Sequence, residues 1–501
     1  MVRGLLWSAA ALSGANGLGM RTAWADDEAP TGFGDVVAQA QALAEREFGD
    51  RPPAGPGELA ELTYDQYHDI RFRQEHALWV EQGLGFEVDL FHPGFRFMRP
   101  VEVYDVDGTG RHPVTLSPEM FDYGPRVTPP ASDTDLAFTG FRARAPINAP
   151  DRLDEFAVFQ GGTRFRAVGS GQRYGVSARG LAINTADAEG EEFPDFTAFW
   201  LIRPVQGDST MTVLALMDSP SIAGAYRFQI RPGESTVIDV DTVLFPRRQV
   251  AKIGLGPLTS MFLYDASARA GYDDFRTAVH NSDGLQMLTG NGERIFRPLA
   301  NPSRLQISAF QDTNPRGFGL VQRNRHFADF QDLDSRFDLR PSTWVEPVGE
   351  WGPGSVVLVE IPTDAETNDN IVAYWRPSAP FEPGSRTDLS YRLHYCSTPP
   401  DNVPLARVAA TRGGRGGDGR RRLFVIDFVG LPAIERMPRA EVSQSNGVIL
   451  NVMAEPNPVD GSYRVSFEVD PGDESLVELR VVLVGDAGPV SETWLYRWTS
   501  A

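Results

Sequence analysis

Apolar residues in this chain come in short runs of strand length, some alternating with polar positions and some continuous. Gly85–Phe91, Met211–Met217, Tyr226–Ile230, Ser235–Val243 and Leu305–Phe310 read as strands, and so do Val356–Ile361 and Ile371–Trp375. Gly, Pro, Asn and Asp punctuate the gaps, as turns require. Helical spacing is confined to the start. Over Phe33–Phe48 the residues Val36, Val37, Ala40, Leu43 and Phe48 share one broad face, and Leu62–Ile70 predicts a second short helix or an extended lead-in. This pattern predicts a large antiparallel β-sandwich over residues 33–396. A linker-like run, Ser397–Asn402, follows. Five further strands at Arg422–Phe428, Gly447–Met453, Ser462–Val469, Leu476–Val484 and Glu492–Trp498 predict an immunoglobulin-like β-sandwich over 402–501, without the Cys…Trp…Cys hallmark. The expected class is all-β.

Composition sharpens the picture in three places. With 49 Gly and 38 Pro in 501 residues, turns and short strands are favoured over long helices. A net charge of −20 argues against nucleic acid and against anionic membrane surfaces, and leaves a neutral ligand such as a sugar well suited. Arg3, the apolar run Leu5–Leu12 and Ala23-Trp24-Ala25 before Asp26-Asp27-Glu28 predict a signal peptide over 1–25, hence export to the periplasm. The single Cys396 can form no intrachain disulfide. The basic stretch Gly413–Arg422 reads as a hairpin tip.

Several chemistries drop out. The seven histidines show no ligand spacing for a metal, and no cofactor fingerprint is present. Gly169-Ser170-Gly171 opens no helix, and Ser177 lacks the final Gly of a nucleophile elbow. What remains lies in two places. Between Glu360 and Asp369 stand four carboxylates (Glu360, Asp364, Glu366, Asp369) and no basic residue. Confining like charges raises the proton affinity of at least one, which general acid catalysis needs; a solvated acidic turn is the plainer alternative. The second place spans Thr259 to Trp375. Its candidate sugar contacts are Tyr264, His280, Asn281, Arg297, Trp344, Trp351, Tyr374 and Trp375, with Asp283 as a further carboxylate. Aromatic faces stack on sugars while amides and charges bond hydroxyls, although core packing is the commoner role for any one aromatic. Arg316, Arg323 and Arg336 can equally be structural partners of Asp332, Asp334 or Asp338.

These residues resemble a known family. LTYDQY (62–67), YGVSARGLAI (174–183), GEEFPDF (190–196), GNGERIFRPL (290–299), NPRGFGL (314–320), GEWGPGSVVLVEIPT (349–363) and ETNDNIVAYW (366–375) are similar to the periplasmic glucan biosynthesis proteins of the MdoG family, OpgG and OpgD, with a leaning to OpgD-like members. The resemblance implies a mutarotase-like β-sandwich followed by an immunoglobulin-like domain, and a role in making glucans with a β-1,2-linked backbone. It further implies likeness to inverting endo-β-1,2-glucanases, with Asp369 of the ETND motif as general acid and Glu366 as a sugar contact. One position departs. The family reads His-Asp-Ser where this chain has His280-Asn281-Ser282, and an amide cannot serve as the base. Asp283, two residues on and on the same face if the segment is extended, is the expected substitute. An inverting pair stands roughly 6.5–9.5 Å apart. Three readings stay open: hydrolysis, transglycosylation, and a non-catalytic glucan-binding factor that partners a membrane glucosyltransferase. The oligomeric state is not legible.

Overall fold

Two broad sheets face each other across one apolar core in the computed structural model, which describes residues 32–500 apart from 132–133, 270, 402 and 418. The expected signal peptide lies outside the described residues. One sheet has ten strands. Its central run is Gly140–Ala149, Arg152–Gln160, Arg164–Ala167, Ser177–Arg179, Ile253–Ser260, Ile371–Pro377, Pro353–Glu360 and Gln306–Thr313, each antiparallel to the next. The other has fifteen strands and passes from Arg439–Gln444 at one end to Gly110–Pro113 at the other.

Side-chain alternation explains how the core forms. Phe141, Phe159 and Phe165 point inward and meet Phe199 and Phe228 of the facing sheet, with ring centroids 4.9–5.9 Å apart. Their neighbours Arg142, Arg144, Arg164 and Arg166 therefore point the other way, so the ten-stranded sheet carries a polar outer face. The helix Phe33–Ala44 buries Val36 and Ala40 against Trp200, Leu214 and Phe245 on the outside of the larger sheet. The short helix Tyr64–Asp69 starts at Thr63, whose side chain accepts from the Gln66 N–H while Gln66 bonds back, a capping box.

All neighbours in the two sheets are antiparallel save two pairs. Glu102–Asp107 runs parallel to Asp195–Ile202, and Arg294–Pro298 runs parallel to Thr493–Thr499. The second pair joins the C-terminal block to the large sheet. Four strands of that block (Arg439–Gln444, Leu476–Gly485, Gly488–Pro489 and Thr493–Thr499) belong to the fifteen-stranded sheet, and four others form a separate sheet against them. Their common core, around Phe424, Phe467 and Trp494, takes in Phe296 and Val321 from the larger block. The sequence suggested two sandwiches strung on a linker. Pairing of Arg294–Pro298 with Thr493–Thr499 runs one sheet continuously through both blocks.

Candidate functional site

The acidic segment is held as a built loop. Asn370 donates to the carbonyls of Phe262 and Ile361, both at 3.0 Å, and accepts from the Phe262 N–H at 2.8 Å. Asn301 donates to the Thr363 carbonyl at 2.7 Å and accepts its N–H at 3.0 Å. Between these pins the four carboxylates separate. Glu360 ends a core strand, is fully buried, and accepts from Arg297 at 3.2 Å and from the Ala300 N–H at 2.7 Å. Burial raises its pKa. Asp369 pairs with Arg164 at 2.8 Å and keeps 26% of its side chain open to solvent. Glu366 pairs with Arg276 at 2.8 Å, and Asp364 is exposed. The expected crowding of like charges does not occur. Arginines distant in the chain reach three of the four, and the raised proton affinity of Glu360 comes from desolvation.

Asp369 sits on the polar outer face of the ten-stranded sheet, among arginines the sequence reading did not single out. Arg164 stands opposite Arg179 in strand register. Arg179 pairs with Glu191 at 2.8 Å, and burial lowers its pKa. Arg166, on the same side as Arg164, lies over the Tyr174 ring at 4.6 Å. Arg340 donates to the Asn281 side-chain oxygen and lies over Phe337 at 4.2 Å. Burial brings it down to about 10, although Asp332, Glu366 and Asp369 pull the other way. Arg276 binds Asp274, Asp332 and Glu366, each at 2.8 Å, and Asp274 bonding holds its pKa high. A cavity of about 260 Å³ adjoins Arg164, lined also by Phe97, Arg179, Phe193 and Asp195. Burial raises the Asp195 carboxyl. Arg164-Phe165-Arg166, with its period-two charge, is the signal that could have revealed this face.

Of the sequence candidates, Asp369, Glu366 and Asn281 come together around Arg340, Arg164 and Arg276. Asp283 does not share a face with Asn281. The chain leaves one strand at His280 and enters the next at Gly284. Asn281 donates its N–H to the Met261 carbonyl, while Asp283 donates to Val321 and accepts the N–H groups of Arg323 and Asn324 at 2.7 and 2.8 Å. Burial raises the Asp283 pKa, and the residue lines a second cavity, of about 560 Å³, beside Arg325 and Arg407. His280 is buried, bonded to Gln322 at 2.9 Å and stacked on Phe262, and burial pushes it down to about 4.

The remaining candidates are buried in packing roles. Tyr264 lies against Tyr272, and burial raises its hydroxyl to about 12. Arg297 neutralises Glu360. Trp344 fills the space over Gly317, where a Cβ would sit 2.2 Å from its ring. Trp351 and Trp375 pack together in the main core, and Tyr374 belongs to a small cluster with Val357, Val359 and Val372. None presents a ring face to solvent, because strand alternation or overlying loops turn each one inside. All of them are buried in this structure.

A two-sheet β protein with an arginine–carboxylate face is thus the class that fold and site define. The family model described as "Periplasmic glucan biosynthesis protein, MdoG" matches residues 32–498, and the chain belongs to that family. It is similar to the glucans biosynthesis protein G of Vibrio cholerae serotype O1, 48% identical over 471 residues, 93% of this chain and 86% of the relative. The protein of the same name from Shewanella baltica is 46% identical over 468 residues, with the same coverages. That from Shewanella frigidimarina is 48% identical over 469, covering 93% and 84%. All three carry the G name, whereas the sequence leaned to OpgD-like members. No described helix is long and apolar enough to cross a membrane.

Proposed function

We propose that this protein works in the periplasm on β-1,2-linked glucan, as an endo-acting glucanase or transglycosylase with Asp369 as general acid. The observation that carries the reading is the place of Asp369. It is a partly exposed carboxylate on an otherwise tightly paired polar face, fixed by the Asn370 and Asn301 pins and held by one arginine that an entering glucan can displace. In the proposed step Asp369 gives its proton to the glycosidic oxygen and the anomeric C–O bond breaks, while a water or a glucan hydroxyl bonds the anomeric carbon from the opposite face and releases its proton to surrounding water. Glu366, fixed by Arg276, supplies a neighbouring acceptor for sugar hydroxyls.

A second reading rests on a specific observation. Asn281 accepts from Arg340 and carries no charge, and the Asp283 carboxylate is engaged by two backbone N–H groups facing the other cavity. A protein without a base beside the acid fits a glucan-binding factor that serves a membrane glucosyltransferase. Mass spectrometry of linear β-1,2-glucan after incubation separates the cases. New reducing ends mean hydrolysis, cyclic or re-linked chains without them mean transfer, and unchanged glucan bound with measurable affinity means a binding factor. Asp369→Asn is expected to reduce either reaction by about 10²-fold or more, the usual worth of a general acid. Full activity in that variant overturns the assignment.

A further inference from the structure

Thirty phenylalanines stand in the sequence, and among the described residues two are exposed: Phe193, 63% open to solvent, and Phe275, 73% open. An aromatic ring left in water forgoes the free energy of burial, so two exceptions in a well-filled protein call for a reason. Both touch the arginines of the site just described. Arg179 lies over the Phe193 ring at 5.6 Å, and Arg276 over the Phe275 ring at 5.9 Å. Arg179 neighbours Arg164, the partner of Asp369, and Arg276 is the partner of Glu366. The contacts therefore run in order from Phe193 through Arg179 and Arg164 to Asp369, then from Glu366 through Arg276 to Phe275. Phe193 also walls the cavity beside Arg164.

We infer that Phe193 and Phe275 are the stacking platforms of two pyranose subsites, one on each side of the Asp369–Glu366 segment. Each ring offers an apolar face to the C–H face of a sugar, and the adjoining arginine and carboxylates bond that sugar's hydroxyls. A polymer crossing both platforms lays the intervening linkage at Asp369. This inference rests on the glucan reading above and supplies the apolar surface that the buried tryptophans cannot.

The test uses the full-length protein carrying Asp369→Asn, so that binding is measured without turnover. Calorimetry with linear β-1,2-glucan is run on that background and on the same background with Phe193→Ala, Phe275→Ala, Phe193→Tyr or Phe275→Tyr. Each alanine is expected to weaken binding roughly tenfold, and each tyrosine, which keeps the ring face, to restore it within about twofold. The melting temperature is expected to stay unchanged, because both rings are exposed. Affinity unaltered by either alanine, with glucan still bound, overturns the platforms and leaves the glucan reading standing. No binding by the Asp369→Asn parent overturns both.

Discussion

A single carboxylate decides little until its partner is known, and this chain's acidic loop shows it. Glu360, Glu366 and Asp369 look alike in sequence, yet one is a buried core ion pair and two are partly exposed, each held by a different arginine. Their arginines, Arg297, Arg276 and Arg164, lie 63 to 205 positions away in the chain, so no local pattern could assign them. His280 offers a test at this scale. Its folded pKa, about 4, lies below the usual 6.5 because burial disfavours the charged ring, although Asp265 and Asp329 work the other way. The unfolded chain takes up a proton below about pH 6.5 that the folded one refuses until about pH 4. The stability tied to His280 is thus present above pH 6.5 and lost as pH falls to 4, by up to about 3 kcal/mol. His280→Gln is expected to remove that slope. The gap in unfolding free energy between wild type and variant then narrows over this window, as denaturant melts at stepped pH will read. A constant gap contradicts it.

At the scale of elements, the sequence was most informative where apolar residues run unbroken or alternate regularly with polar ones. Met211–Asp218, Thr236–Pro246 and Tyr463–Asp470 lie within a few residues of their forecasts. Gly140–Ala149 and Arg152–Gln160 went unread, because arginines and carboxylates on their outer face mask the inward Phe141, Ala143, Phe156 and Phe159. The candidate site was legible only as its loop; the face beneath it belongs to the short strands Arg164–Ala167 and Ser177–Arg179, too brief to show a pattern of their own. Close approach between elements leaves its mark on glycines. A Cβ at Gly284 would stand 2.1 Å from the Phe296 ring, which packs in turn into the C-terminal core. Gly284→Ala is expected to destabilise by about 2 kcal/mol, as overpacking does. A lowered thermal midpoint checks it, and Phe296→Leu in the same chain is expected to recover part of the loss.

The molecule as a whole is bound at its junction by charges out of solvent. Glu492, fully buried, accepts from Arg323 at 2.5 and 3.0 Å and from the Val408 N–H at 2.7 Å, and lies 3.3 Å from Arg294. Asp401 takes Arg294 from the other side at 2.9 Å. Removing one partner from such a network strands the others, at a cost of about 3–5 kcal/mol. Glu492→Ala is expected to lose that much in a denaturant melt that stays a single transition, since a shared sheet couples the blocks. Two separated transitions in the wild-type protein would show that the blocks unfold independently.

The parallel pairing of Arg294–Pro298 with Thr493–Thr499 also sets the timing of the chain's assembly. Some two hundred residues separate the partners, so the ordering of that intervening loop must precede any return from the contact. A chain emerging from its N-terminus holds an open sheet edge at Ile295 until Thr493–Thr499 arrives. During that interval the growing protein is a strand short, and any other extended segment can occupy the place. The strand Thr493–Thr499 thus acts as a latch, and deleting it should yield aggregates rather than a smaller folded protein.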